Sequence, residues 1–342
     1  MLFKTYFGAR FILSKKAIIN LALSDRSDGK TFDCKARALE DYEKDKSITI
    51  YMRRWKTEIT EKVYNNFFNE CWENNESYLR FSEWEFKGSK SGIKVRKSKN
   101  DDWDTIIYFV PLSVASRIKS QITQIKRIKM IDFDEYIPMD NLYLPNEITL
   151  LLDFWKTIDR DRNLVQILIA GNKIVPFCPF FDYFKIDLKI GNKDLIRTYK
   201  NGTIAVQLYS NKEHREKRQN SAFSDLVKDT PYDNYENGGV LYDLDLEIKS
   251  RVGADYFCQF KTARGTGTIW WKENNLIISE YNRKDGYIIM DNNYNIPGEK
   301  YLCTYGKFPN YFKNVYRRNE MFFESEKAYY IFEPILIKIG SK

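Results

Sequence analysis

The residues best suited to chemistry in this 342-residue chain are a Lys-Thr pair after a glycine, an adjacent Asp-Glu, and several arginines. Ser24-Asp25-Arg26-Ser27-Asp28-Gly29-Lys30-Thr31 has the spacing of a phosphate-binding P-loop, with Ser24 where the first glycine belongs. In such a loop Gly29 lets the backbone fold around phosphates, Lys30 reaches the β- and γ-phosphates, and Thr31 offers a hydroxyl to Mg²⁺. Asp25 and Asp28 oppose phosphate unless Arg26 and Lys30 neutralise them. The other reading of the segment is an ordinary polar strand-to-helix turn. Farther on, Ile128 to Ile131 leads into Asp132-Phe133-Asp134-Glu135, which delivers acids to a strand end. There Asp134 would hold Mg²⁺ and Glu135 would polarise an attacking water, unless the pair is only a solvated loop start.

Three further groups keep two readings each. Asn172 follows the apolar run Leu164 to Ala170 and is either a polar sensor for the γ-phosphate and catalytic water or part of a Gly-Asn turn. Arg160 and Arg162 suit an arginine finger reaching a neighbouring subunit, or a surface cluster with Asp159 and Asp161. Arg53, Arg54 and Lys56, with Trp55 among them, put positive charge after a strand, as phosphate or DNA contacts or as solvated surface.

The elements that must position these groups follow from hydrophobic patterning. Residues 17 to 23 form a buried strand, Thr31 to Tyr42 a helix, Ser47 to Met52 a second strand, and 58 to 74 a second helix. Leu79 to Phe86 and Gly92 to Arg96 bracket a turn, followed by strands at Thr105 to Val110 and 127 to 137, a helix from Asn146 to Ile158, and the strand Leu164 to Ala170. Apolar strands alternating with helices predict an α/β domain over residues 1 to 190, with a parallel sheet covered on both faces. The polar stretch 191 to 238, with the charge-dense NKEHREKRQN at 211 to 220, reads as a linker or hinge. From 239 to 342 the chain is strand-rich and closes with a helix-like Tyr311 to Ile331.

Composition removes other chemistries. A single His, His214, cannot supply a His-based triad or a multi-His metal site. Five Cys, with no C-x-x-C pair, indicate neither a disulfide framework nor a zinc cluster and suit a reducing compartment. The net charge of +8 fits a polyanionic partner. No segment approaches the ~20 apolar residues of a membrane helix, and the start, broken by Lys4, Arg10, Lys15 and Lys16, does not read as a signal peptide. No membrane partner is expected.

The order of features resembles the DNA-packaging (encapsidation) ATPases of small short-tailed phages of the phi-29 type. The resemblance is carried by the loop at 25 to 31, Tyr-Met-Arg-Arg-Trp-Lys at 51 to 56, Val-Pro-Leu-Ser-Val at 110 to 114 and Ile-Asp-Phe-Asp-Glu-Tyr-Ile at 131 to 137. Leu-Pro-Asn-Glu-Ile-Thr-Leu-Leu-Leu at 144 to 152, the Arg160/Arg162 pair and Gly-Asn at 171 to 172 continue it. It covers Ala17 to Lys185 and fades beyond. At the loop start, where the family shows Gly-Ala-Arg, only Arg26 matches.

The resemblance implies an additional-strand, catalytic-glutamate P-loop ATPase that uses ATP and Mg²⁺ to drive double-stranded DNA into a preformed procapsid. Lys30, Thr31, Asp134 and Glu135 carry over as phosphate, Mg²⁺ and base residues, and Arg160 as a trans-acting finger. The implied partners are further copies of the chain in a ring, expected as a pentamer, and the phage portal, at the portal vertex in the host cytoplasm. Whether a packaging RNA takes part is left open, with Lys212 to Arg218 its candidate contact. An RNase H-like C-terminal domain is implied. YFCQFKT carries no carboxylate in mid-strand, and Asp243, Asp245 and Glu247 are the only rival set, so the domain reads as a docking and DNA-handling module. The alternatives are a terminase-like ATPase that also cuts DNA and a nucleotide-binding structural ring without hydrolysis.

Overall fold

The computed structural model describes residues 7–25, 28–122, 125–136, 143–144, 146–172, 179–186, 196–209, 216, 222–228, 248–262, 264–283, 288–290, 301–302 and 307–338. The chain divides into two compact units, Met1–Pro176 with Leu188–Leu241, and Phe177–Asp187 with Tyr242–Lys342.

In the first unit the strands are β1 (Ile19–Ser24), β2 (Ile48–Arg53), β3 (Glu85–Ser89), β4 (Gly92–Arg96), β5 (Asp104–Pro111), β6 (Ile128–Asp134), β7 (Gln166–Asn172), β8 (Ile196–Tyr199) and β9 (Ile204–Leu208). The helices are α1 (Arg10–Leu13), α2 (Lys30–Asp45), α3 (Glu61–Asn65), α4 (Asn69–Asn74), α5 (Ala115–Ile122) and α6 (Glu147–Asp159). The strands form one sheet in the order β3-β4-β5-β2-β6-β7-β1-β9-β8. The six central strands, β5 to β9 in that order, are all parallel, and antiparallel pairs occur only at the two margins. All six residues of β1 are buried, as a strand covered on both faces requires.

The stretch expected as a linker thus contributes β8 and β9, with β9 directly beside β1. Its polar average hides a short apolar run, Ile204-Ala205-Val206. The expected helix over 58 to 74 is broken: a 3₁₀ turn at Lys56–Glu58 precedes α3 and α4, with Asn66 leaving helical geometry between them. Phe67 and Phe68 are both buried, in an aromatic core with Tyr51, Phe81 and Phe109. Trp72 on α4 stacks on Phe86 with ring centroids 5.8 Å apart. Leu79 to Phe86, expected as a strand, is a 3₁₀ turn over Glu76–Phe81 and then the start of β3. Gly88 is required there, since a Cβ would lie 2.2 Å from the Tyr64 carbonyl oxygen.

The second unit holds α7 (Pro179–Phe184), β10 (Asp255–Thr262), β11 (Gly265–Lys272), β12 (Asn275–Ser279), β13 (Ile288–Met290), β14 (Tyr301–Leu302) and β15 (Met321–Phe323). Ala222–Val227 of the first unit is α8, and Lys307–Arg317 and Glu326–Lys338 of the second are α9 and α10. The sheet order is β14-β13-β10-β11-β12-β15, a meander from β10 to β12 with β13 and β14 parallel to β10 on its other side. That is the RNase H-like arrangement, with β15 added at the edge. The helix expected from Tyr311 to Ile331 is two helices separated by β15, which pairs with β12. Phe260, Phe312, Phe323 and Phe332 form its core around α10. Asp243, Asp245 and Glu247, and most of 211 to 220, lie outside the described residues.

Candidate nucleotide site

Parallel pairing brings the C-terminal ends of β1, β7, β6 and β2 to one edge of the first sheet. Ser24 pairs with Asn172, Asp134 with Ala170, and Met52 with Phe133. A cavity of about 350 Å³ opens at this edge. Gly29, Lys30, Thr31, Asp134, Glu135 and Asn172, all singled out from sequence, line it.

The loop from β1 to α2 is fixed by local geometry. Gly29 sits in the left-handed region at φ 90°, where a side chain is strained, and starts α2. The Asp28 carbonyl accepts from the Phe7 amide at 2.8 Å. Lys30 donates through Nζ to Ser24 Oγ at 2.7 Å and to the Asp25 carbonyl at 2.8 Å. The hydroxyl that replaces the expected glycine therefore holds the lysine at rest. Asp25 and Asp28 are buried, and neither lines the cavity. Arg26 and Ser27 lie outside the described residues.

Thr31 donates through Oγ1 to Asp134 Oδ2 at 2.9 Å. A hydroxyl and a carboxylate oxygen side by side are the hard donors that Mg²⁺ takes, so the residues present fit the ion. The Tyr51 hydroxyl donates to the same Oδ2 at 2.9 Å. Burial and the Asp134 charge push the Tyr51 phenol well above its ordinary pKa, so it stays a donor. Glu135 follows in a left-handed conformation at φ 56°, its side chain exposed.

Behind the site, Arg37 of α2 donates through Nη2 to both carboxylate oxygens of Asp132 at 2.9 and 3.0 Å, with both side chains buried. Cys34 Sγ adds a donor to Asp132 Oδ2 at 3.0 Å. Burial alone would favour the neutral forms, and the mutual attraction keeps Arg37 firmly charged. Asp132 and Asp134 alternate along β6 and share its face, so this pair locks the helix carrying Thr31 to the strand carrying Asp134.

The arginines divide. Arg54 is buried, gripping Glu147 at 2.6 and 2.8 Å and the carbonyls of Glu135 and Tyr136, so it is a structural clamp with no surface for phosphate or DNA. Arg53 instead faces Asp134 and Glu135. Lys56 is exposed. Arg162 donates to the carbonyls at the end of α6, and Asp159 accepts from the amides of Asn163, Leu164 and Val165, so neither joins a surface cluster. Asp161 pairs with Lys156. The exposed Arg160 side chain has no hydrogen-bond or ion-pair partner among the described residues. It lies before β7, at the sheet edge opposite Asn172, about 20 Å away for seven residues of strand.

Sequence reading missed Tyr51, Arg37, and the cavity residues Phe32, Glu70 and Asn74. Asp132, which follows the buried apolar Met130 and Ile131 two residues before Asp134, was the available signal for a buried cation on α2.

A model of the podovirus DNA encapsidation protein (Gp16) family matches residues 1–334 of the chain. The DNA packaging protein of Bacillus phage B103 is 27% identical over 223 residues, 65% of this chain and 63% of that protein. That of Bacillus phage phi29 is 26% identical over 229 residues, 66% and 63% of the two. The matched part thus spans less than two thirds of these relatives. A chain of the bacteriophage Phi-29 viral genome packaging motor assembly shares the fold, with a TM-score of 0.67 at 19% identity over 97% of this chain and 99% of that one.

Proposed function

The chain belongs to the podovirus DNA encapsidation protein family, and we propose that it is the ATP-hydrolysing motor that drives double-stranded DNA into a preformed viral procapsid. The observation that carries this reading is the convergence of Lys30, Thr31, Asp134, Glu135 and Asn172 on one cavity. In the proposed cycle Lys30 leaves Ser24 and the Asp25 carbonyl to meet the β- and γ-phosphates of ATP. Thr31 and Asp134 hold Mg²⁺, which when bound neutralises charge developing on the phosphates. Glu135 takes the proton of the attacking water at its carboxylate, and Asn172 orients that water.

Arg160, too far from its own site, acts on the nucleotide of a neighbouring copy in a ring, proposed as a pentamer. The ring docks on the phage portal at the procapsid vertex in the host cytoplasm, and Lys56 contacts the DNA backbone. The motor comprises the first unit, and the second serves docking and DNA handling. In support of the latter, the middle of β10 carries Cys258, Gln259 and Phe260 and no carboxylate. No helix among the described residues is long and apolar enough to cross a membrane.

The test is Mg²⁺-dependent ATP hydrolysis by the purified chain, with and without double-stranded DNA and portal-bearing procapsids. DNA-stimulated hydrolysis together with nuclease-protected DNA inside the procapsid is expected. Absence of hydrolysis in every condition would leave a structural ring, and cutting of plasmid with Mn²⁺ would leave a terminase-like nuclease.

A further inference from the structure

Lys87, Lys90, Lys94, Lys97 and Lys99 lie on the hairpin of β3 and β4 and on the turn that follows it, and all are exposed. Among the described residues none of them pairs with a carboxylate. The Lys97 ammonium sits over the Trp84 ring, 4.6 Å from its centroid. Glu85 is the hairpin's own acid, and Arg96 takes it with bonds of 2.5 and 2.9 Å. The register sets Lys87 directly opposite Lys94, on the face shared by Glu85 and Arg96. Phe86 and Val95, on the other face, pack into the aromatic core.

Like charges directly opposite one another across a ladder repel, so the Lys87/Lys94 pair costs stability. Protection of the sheet edge does not account for it. A lysine on an edge strand hinders pairing with another chain, and β3 is the edge, but Lys94 stands on β4, which β3 and β5 already flank. Nor is the ribbon free to spread. Gly88 is pressed against Tyr64, and the Phe109 amide donates to the Ser91 carbonyl at the tip at 3.1 Å. What relieves the repulsion is an anion, and a row of cations on a stiff ribbon suits a row of anions. Five residues of strand extend about 17 Å, a length over which duplex DNA carries about ten phosphate charges. Because β4 runs antiparallel to β5, and β5 parallel to β2, the hairpin tip turns toward the sheet edge that carries Lys56. Two strand spacings, about 10 Å, separate β4 from β2 across the sheet.

We propose that the β3-β4 hairpin is a second binding surface for the backbone of duplex DNA, with Lys87, Lys90 and Lys94 contacting phosphates other than the one met by Lys56. The inference rests on the chain being a DNA motor, and it adds to that reading a surface outside the nucleotide site. Contacts of this kind are made to phosphates alone, so they grip any sequence.

The test measures binding of the purified chain to a fluorescent random-sequence DNA duplex across a salt series, comparing wild type with the double variant Lys87→Gln, Lys94→Gln. Each lost phosphate contact should flatten the slope of log affinity against log salt by about 0.9, so the double variant should lose about 1.8 and bind about tenfold more weakly at about 100 mM salt. The control is Lys15→Gln with Lys16→Gln, an equal loss of exposed charge at the turn before β1, and its slope should match wild type. A double variant with the wild-type slope overturns the proposal, whether or not it self-associates through the altered edge. An equal loss of slope in the control overturns it too, since net charge alone would then explain the binding. Loss of slope with duplex RNA and not with DNA would assign the surface to a different nucleic acid and overturn it as stated. Should the double variant fail to fold, lysine acetylation of the wild-type chain read by mass spectrometry replaces it. DNA is then expected to slow modification of Lys87, Lys90 and Lys94 at least about fivefold relative to Lys15 and Lys16, and equal rates overturn the proposal. If wild type shows no salt-dependent DNA binding at all, the motor reading itself has failed; if wild type binds and the hairpin makes no difference, only the hairpin site has.

Discussion

Lys30 has partners even at rest, and its chemistry depends on exchanging them. Removing it in Lys30→Ala takes away the flexible cation that meets the phosphates, so ATP turnover should be lost in a coupled hydrolysis assay. Glu135→Gln keeps the shape and loses the base, so turnover should drop by about 10²- to 10⁴-fold while a fluorescent ATP analogue still binds. Both residues stood out in the sequence because their types and spacing are constrained by phosphate chemistry, and both line the cavity. The role of Ser24 did not, since a serine in place of glycine reads as a missing feature until its Oγ is found 2.7 Å from Lys30 Nζ. Arg54 was misread for a related reason. Adjacent arginines at a strand end look alike in sequence, but alternation sends Arg53 to the acids and Arg54 into a buried pair with Glu147.

The elements that hold the site are joined by buried charge. Arg37→Ala leaves Asp132 buried and uncompensated between α2 and β6, at a cost of about 3–5 kcal/mol by chemical denaturation. Nearby, Asp104 at the start of β5 accepts from both terminal nitrogens of Arg127 at 2.6 and 2.7 Å and from the Tyr42 hydroxyl at 2.8 Å. These contacts, Arg127 first, lower its pKa from 3.8 to about 2. A lowered carboxyl pKa contributes stability above the unfolded value, and that contribution disappears as pH falls through the folded one. Wild type should therefore lose more stability than Asp104→Asn between pH 4 and 2, measured by thermal melting across that window. The parallel strands were plain in sequence because burial on both faces gives continuous apolar runs. The break between α3 and α4 was not, because Phe67 and Phe68 fit a helical pattern until both are seen to be buried. The β8 and β9 strands, four and five residues long, were diluted by polar neighbours.

At the scale of the whole molecule the proposed motor needs other copies of itself. Arg160→Ala rings should bind nucleotide and hydrolyse poorly, yet recover activity when mixed with Glu135→Gln chains, because a subunit with an intact Glu135 can receive Arg160 from its neighbour. No recovery in mixed rings, with assembly verified by light scattering, would assign Arg160 a purely structural part. DNA affinity should fall at least about tenfold between 50 and 200 mM salt in a filter-binding assay, as phosphate contacts by a chain of charge +8 imply. The stacking of Trp72 on Phe86 has an optical use. Trp72 sits on α4 between Glu70 and Asn74, both on the cavity wall, while its indole lies against a ring of the aromatic core. Any ligand that shifts α4 changes the quenching of that one indole, so the unlabelled chain carries its own fluorophore for nucleotide arrival. A stopped-flow emission signal on mixing with ATP that is present in wild type and lost in Trp72→Phe would give the binding step a clock separate from hydrolysis.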